Sequence, residues 1–293
     1  MKIATFAVIV TSVFPFVTPG ASPSATTTNP GAQGVQIDAA ALVRQSVQNY
    51  ERDWREAMSW SYRQTDLTRA DAKSEVDVSE IVPLEGTPYE RLIQKDGRQL
   101  SPEERKKEER KYDRIIKRRQ QESSWARQER IRKYEAERSF VKDIPDAYEF
   151  RLVGEDVINE RPAWVITMTP KEDFVPTTTH GNILKHIKGK LWLDKEELQW
   201  AKAEADVIDT IEIGWIMARI GPGTHFLVEQ TRVADGLWLP QKIVITGVAR
   251  VLLVHDKVLN EELTFSGYQK GNVEADSTQG GKPVPPSTRD SFR

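Results

Sequence analysis

Cysteine is absent from this chain of 293 residues. Its absence excludes disulfide bonds, thiolate zinc sites, iron-sulfur clusters and a thiol nucleophile. It also leaves no cysteine to carry a lipid anchor, so we expect a protein that is not itself lipid-anchored. Functions that depend on thiol chemistry or on a cysteine-held metal are therefore excluded.

Histidine is scarce, and the motifs of the common enzyme classes are missing. None of the histidines lies in an HExxH motif or at a zinc-site spacing from acidic residues: His180, His186, His225 and His255. The chain also lacks a G-x-S-x-G elbow, an S-x-x-K with its companion motifs, a GxGxxG loop and a Walker loop. We therefore expect no metal, no cofactor and no catalytic residue, and predict that the protein is not an enzyme.

Neither sign of charge dominates. Lys and Arg total 42 against 44 Asp and Glu, which gives a formal net charge of −2. Such a balance produces no long-range field of the kind that gathers nucleic acid, so we expect no nucleic-acid partner. The content of 38% hydrophobic and 29% charged residues is typical of a soluble globular body with polar extensions.

The start of the chain is typical of a secretory signal peptide, which we place at residues 1–25. Lys2 precedes an apolar stretch from Ile3 to Val17, and small residues follow it. Pro15 interrupts this stretch, which is shorter than the roughly 20 residues that span a bilayer. We therefore expect an exported protein that is soluble in the periplasm.

Polar sequence flanks the predicted domain on both sides. Residues 26–36 carry almost no side chains to bury and are predicted to form a flexible leader. After Gly271 the chain is polar and contains three prolines, which predicts a disordered tail over residues 271–293. Between them we expect a single domain over residues 37–270.

The predicted domain begins with a helix. Asp38 is a good N-cap, and apolar residues recur mostly at three- and four-residue steps from Ala41 to Trp54. Short strands are predicted to follow it, at Tyr62 to Leu67, Glu75 to Val82 and Tyr89 to Gln94.

Residues 101–133 form the most charged segment, with thirteen Lys and Arg against seven Asp and Glu, a net charge of +6. Ser101 and Pro102 predict a helix start, and we expect a basic helical insertion over residues 101–142. One interpretation is a solvated helical pair lying over the body. The other is a basic arm that binds an anionic membrane surface or an envelope protein partner, with these candidate residues: Arg114, Lys117, Arg118 and Arg119.

From Asp143 to Gly271 the pattern predicts an antiparallel meander. Residues 201–207 alternate strictly, which favours a strand although their Ala, Lys and Glu content suits a helix. Residues 247–254 are almost entirely apolar and predict a strand covered on both faces. In full, the predicted strands are Phe150 to Val157, Pro162 to Met168, Gly189 to Asp194, Trp200 to Ile208, Glu212 to Ala218, Phe226 to Val233, Gln241 to Val254 and Glu261 to Tyr268.

Tryptophans are concentrated in or beside these strands. One interpretation is ordinary core, because an indole buries about 150 to 250 Å² and stabilises any sheet that it packs on. The other is a hydrophobic cavity on the concave face of a sheet that curls without closing. The sequence leaves both open for the five candidates: Trp164, Trp192, Trp200, Trp215 and Trp238.

Several strand and turn elements resemble those of a known family. They are the stretch Phe150 to Asp156 with Arg161 to Ile166, the run Met168-Thr169-Pro170-Lys171, the strand Gly189 to Asp194 with its Trp192, and the hairpin Asp235-Gly236-Leu237-Trp238-Leu239-Pro240. In this order they resemble the outer-membrane lipoprotein-sorting superfamily, the LolA/LolB-like half-barrels. The resemblance implies an α+β fold, with a curved antiparallel unclosed β-barrel covered by helices, and the binding of lipid or lipoprotein acyl chains without catalysis.

We therefore expect an exported, non-catalytic carrier or binder of a hydrophobic ligand, to which the tryptophans listed above contribute. Acyl methylenes buried at about 0.8 kcal/mol each would supply the affinity. The alternative is an envelope assembly or scaffold protein whose barrel is filled by its own side chains and which docks a partner through its basic helical arm.

Overall fold

The computed structural model describes residues 37–70, 73–213, 218–251 and 255–271. The predicted signal peptide at 1–25, the leader at 26–36 and the tail beyond residue 271 lie outside these ranges. Trp215 lies outside them as well.

Thirteen strands are described, and all join one antiparallel sheet. They are β1 (Trp60–Ala70), β2 (Lys73–Leu84), β3 (Thr87–Lys95), β4 (Arg98–Gln99), β5 (Tyr148–Ile158), β6 (Arg161–Pro170), β7 (Ile187–Asp194), β8 (Trp200–Val207), β9 (Ile211–Ile213), β10 (Ala218–Ile220), β11 (His225–Ala234), β12 (Leu237–Val251) and β13 (His255–Lys270).

The strand order is β4-β3-β2-β1-β13-β12-β11-β8-β7-β6-β5, with the β9–β10 hairpin attached to β12. The last strand, β13, lies between β1 and β12, so it joins the N-terminal meander to the C-terminal one. In the described residues β4 and β5 are the two edges, and they do not pair with each other. The predicted α+β class with an unclosed antiparallel sheet and helices is confirmed.

Helix α1 (Ala39–Ala57) lies against β5 and β12. Asp38 accepts hydrogen bonds from the backbone N–H groups of Ala40 and Ala41, which confirms it as the N-cap. Val43 and Val47 on its inner face are buried. The predicted helix is confirmed, and its packing closes over the half of the sheet that contains β5.

The two edge strands, β4 and β5, are consecutive strands in the sequence, and a helical segment connects them. It consists of α2 (Pro102–Gln120), α3 (Ser124–Ala136), a 3-10 helix (Ser139–Asp143) and α4 (Ile144–Ala147), while a second 3-10 helix (Gly181–His186) precedes β7. Ser101 and Glu104 form a capping box at the start of α2. Phe140 and Ile144 are buried in the core, so the connection covers the sheet rather than looping around it.

Two arginines fasten this segment to the turn between β2 and β3. Arg119 Nη1 donates to the carbonyls of Leu84 and Thr87 at 2.7 and 2.8 Å. Arg130 donates to the carbonyl of Glu85 at 2.9 Å and to the Thr87 hydroxyl. Charge-assisted hydrogen bonds to backbone groups of the β2–β3 turn therefore fix the position of the connection between α2 and α3.

Glycine is required in the turn that these arginines hold. Gly86 has a φ of 91°, a conformation that L-residues avoid. A Cβ at this position would lie 2.8 Å from the Ile131 Cδ1 atom of α3. The close approach of α3 to the sheet therefore depends on this residue.

Most of the predicted strands are confirmed, and two strand predictions are wrong. Residues 201–207 form a strand, as the alternation predicted. The single strand predicted over Glu212 to Ala218 is instead a hairpin, because Ile213 pairs with Ala218. In the described part of the segment predicted to be covered on both faces, one face is exposed, because Val248 is 49% exposed; residues 252–254 of that segment lie outside the described ranges.

Replacing Arg119 by Gln is expected to destabilise the fold by about 2 to 3 kcal/mol, because it leaves two part-buried carbonyls without their donor. The matched control is Arg118→Gln, which removes an exposed neighbour and should change stability by less than about 0.5 kcal/mol. Urea unfolding followed by circular dichroism measures both. Equal free energies of unfolding for the two variants would contradict the assignment.

Candidate functional site

A row of polar side chains on α1 fixes the helix to the sheet. The Ser46 hydroxyl accepts a hydrogen bond from Trp200 Nε1 at 2.8 Å. Three residues on, Asn49 Nδ2 donates to the backbone carbonyls of Glu197 and Leu198. Since these positions share a helix face, the helix has a defined rotation about its axis.

Asp53 completes the row and is buried, with 2% of its surface exposed. Its Oδ2 atom accepts hydrogen bonds from Gln199 Nε2 at 2.8 Å and from the Trp238 backbone N–H at 2.9 Å. Its Oδ1 atom accepts from Arg52 at 2.9 Å. Burial raises the pKa of Asp53, although the hydrogen bonds from Trp238, Arg52 and Gln199 oppose that shift.

A partly open cavity of about 180 Å³ lies beside Asp53, between the C-terminal turns of α1, the strands β1, β2, β12 and β13, and the end of α3. Part of the cavity wall is aliphatic and is formed by Ile81, Ile243 and Leu263. Aromatic rings supply much of the rest: Trp54, Tyr62, Tyr134, Trp238, Phe265 and Tyr268. The arrangement can hold an apolar group and present a few polar atoms to it.

Burial favours the protonated form of three tyrosines of this cavity. Burial raises the pKa of Tyr62 to about 12 and raises the pKa values of Tyr134 and Tyr268 as well. The Tyr268 hydroxyl donates to the Pro240 carbonyl. These three side chains therefore offer protonated hydroxyls to the cavity.

The helical insertion forms one wall of the cavity. Tyr134 of α3 stacks on Trp54 of α1, with 5.1 Å between the ring centroids. The Arg138 guanidinium lies 3.6 Å from the centre of the Trp54 ring. These contacts between α1 and the insertion close the cavity on this side.

The structure brings one of the predicted tryptophans into the cavity and places the others elsewhere. Trp238 lines the cavity. Trp200 is buried in the core and stacks on Tyr50 with 4.5 Å between centroids. Trp192 is also buried, donates to Asp156 Oδ2 at 3.0 Å, and does not line the cavity.

Trp164 packs partly buried against the core of that same half of the sheet, away from the cavity walls. The remaining candidate, Trp215, lies outside the described residues. Six aromatic residues of the cavity were missed in the sequence: Tyr50, Trp54, Tyr62, Tyr134, Phe265 and Tyr268. Phe265 and Tyr268 are three positions apart, so strict alternation would place them on opposite faces of β13; an irregularity in the pairing of β13 with β1 lies between them, and that pairing carries no local signal.

The basic candidates divide into two groups. Arg114, Lys117 and Arg118 are exposed on α2. Arg119 is 8% exposed and bonded to the β2–β3 turn, so it belongs to the fold and not to the exposed face. When several basic residues are adjacent in the sequence, the sequence alone does not indicate which of them is buried.

Histidine and acidic side chains form no metal centre in the described part of the chain, where no three of them lie close enough to hold an ion. His225 is buried, and its Nδ1 lies 3.1 Å from Asp206 Oδ1. Burial lowers the pKa of His225, and Asp206 opposes that shift.

Among the described helices, none combines the length and the apolar character that crossing a membrane requires.

Comparison with solved structures finds matches that cover most of the chain. An outer membrane lipoprotein-sorting protein domain from Vibrio parahaemolyticus is 12% identical, with a TM-score of 0.34 over 80% of this chain and 96% of that one. A LolA superfamily protein from Nitrosomonas europaea is 11% identical, with a TM-score of 0.36 over 83% and 98%. These matched structures are members of the family that the sequence elements resemble.

A chain of the MucA/MucB complex of Pseudomonas aeruginosa is 12% identical, with a TM-score of 0.24 over 76% of this chain and 93% of that one. No protein-family profile matches the sequence, and no curated protein does. Likeness at this level says nothing about what the protein binds.

Replacing Asp53 by Asn tests the buried carboxylate. A folded-state pKa above the unfolded value means that wild-type stability falls as the pH rises through the interval between the two. The uncharged variant lacks this loss. The free energy of unfolding of the variant, relative to that of wild type, should therefore increase between about pH 4 and pH 7. Urea unfolding at both pH values measures the change.

The control for this prediction is Asp235→Asn, at a fully exposed aspartate. It should leave the pH dependence as in wild type. A stability difference between the Asp53 variant and wild type that stays constant with pH would contradict the raised pKa.

Proposed function

We propose that the protein is an exported, non-catalytic binder of a hydrophobic ligand in the cell envelope, with lipid or lipoprotein acyl chains as its ligand class. The observation that carries this proposal is the partly open cavity walled by aromatic and aliphatic side chains. Burial of apolar surface would supply the affinity without any covalent step.

The size of the cavity limits what it accepts in the described conformation. Its volume of about 180 Å³ is below the roughly 300 to 1,000 Å³ of typical ligand pockets. A short alkyl segment fits that space. A longer chain requires the contact between Trp54 and Tyr134 to open, which makes the insertion the movable wall.

Filling the cavity should abolish binding. Ala57 lines it from the end of α1, so Ala57→Phe should weaken the binding of 1-octanol roughly tenfold or more, since each methylene excluded from the cavity costs about 0.8 kcal/mol. Isothermal titration calorimetry measures the affinity. A series from hexanol to dodecanol should gain affinity with chain length up to the length that the cavity holds.

The matched control is Ala41→Phe, which adds the same side chain to an exposed position on the same helix. It should bind octanol like wild type. Equal octanol affinity for the Ala57 and Ala41 variants, or no binding by wild type, would overturn the proposed ligand site.

A second candidate function is an envelope scaffold that docks an anionic partner or membrane surface through α2. Exposed cations follow one another at three- and four-residue steps on this helix, and we call them the basic face: Lys106, Arg110, Arg114, Lys117 and Arg118. Within the described residues none of the five forms an ion pair. Trp125, at the start of α3, is 75% exposed, and indoles are enriched where proteins meet lipid head groups.

Charge reversal tests the basic face. Arg114→Glu with Lys117→Glu should reduce cosedimentation with vesicles rich in phosphatidylglycerol at least tenfold at low salt, because each cation near such a surface contributes about 1 kcal/mol. The control pair is Lys185→Glu with Lys188→Glu, two exposed lysines outside α2. Equal vesicle binding by both double variants would exclude the basic face as the surface that binds the membrane, and no binding by wild type would point to a protein partner.

A further inference from the structure

A polar cleft adjoins the cavity on the outer side of Trp54. Its volume is about 390 Å³. Tyr50, Trp54 and Arg138 line both the cleft and the cavity, so these three side chains form the wall between them. An apolar space and a polar space therefore meet at one indole ring.

The cleft carries more cations than anions. Arg55, Arg138 and Lys142 line it together with Glu51 and Glu135. Glu51 is engaged by Lys142, whose Nζ lies 3.4 Å from Glu51 Oε1. Arg55 is exposed at the end of α1 and, within the described residues, has no acidic side chain within 4 Å. Its charge is available to an anion in the cleft.

Trp54 contributes a donor that lacks an acceptor. Its indole Nε1 is buried and has no hydrogen-bond partner in the part of the chain that the structure describes. A buried N–H without a partner destabilises the fold that contains it, so such a group is uncommon unless something else bonds to it. An acceptor atom of a ligand at the wall would supply the missing bond.

We propose that the ligand is an anionic amphiphile, with its alkyl chain in the cavity and its carboxylate, phosphate or sulfate head group in the polar cleft. In this arrangement the Trp54 ring shifts from its place in the wall, so that its Nε1 atom, buried in the described conformation, donates to the head group, and Arg55 and Arg138 supply positive charge beside it. This proposal rests on the proposed function, because it takes the cavity as the site of the chain. It adds that the head group is selected by charge.

Three eight-carbon ligands separate the two proposals, because they share a chain and differ in head-group charge: octanoate, 1-octanol and octyltrimethylammonium. Calorimetric titration of the full chain at pH 7.5 should give octanoate the highest affinity and the cation the lowest. Octanol binding without a preference for octanoate would overturn the head-group proposal and leave the proposed function standing. No binding by any of the three would overturn both.

Substitutions test which side chains select the anionic head group. Arg55→Gln and Trp54→Phe should each lower the ratio of octanoate to octanol affinity by roughly three- to tenfold, and Arg55→Lys should restore most of it. The control is Arg44→Gln, an exposed arginine on the same helix that lines neither space. A ratio that stays at the wild-type value in both the Arg55→Gln and the Trp54→Phe variant would overturn the assignment.

Discussion

The buried carboxylate of Asp53 is the contact on which the cavity depends. It accepts hydrogen bonds from the Trp238 backbone N–H and from Gln199, and so joins α1 to two separate parts of the sheet. Trp54 is the next residue of the helix, so the same contact sets where the cavity wall stands. A buried carboxylate is costly unless it is paired, and here three donors offset part of that cost.

The unclosed sheet imposes a second constraint, since its two edges follow one another in the chain. The connection must cross from β4 to β5, and on the way it covers one face of the sheet. Phe140 and Ile144 fill the half of the sheet near β5. Tyr134 and Arg138 reach only the margin of the other half, where the cavity remains. One half of the sheet is therefore packed with side chains, whereas the other half borders a cavity. The same architecture is compatible with a scaffold function and with a ligand-binding function.

Local patterns predicted much of the fold and little of the site. Asp38 and the apolar steps after it predicted α1, and strict alternation predicted the strand at 201–207, because both signals lie within a few residues. The cavity joins Trp54, Tyr134 and Tyr268, which lie far apart in the chain, and no local pattern specifies their meeting. Arg119 was predicted among the surface cations because its sequence neighbours are charged, whereas its burial depends on carbonyls in a distant turn.

The position of β13 has a consequence for the order in which the chain can fold. β13 pairs with β1 across some two hundred positions of sequence, and the Gly271 N–H donates to the Ser59 carbonyl at 2.8 Å where the ends of this pairing meet. Until β13 is available, β1 has an unpaired inner edge and the two meanders share no strand. Pairings of such long range form slowly because chain closure precedes any stabilising contact. The sheet is therefore completed only after its last strand has been synthesised.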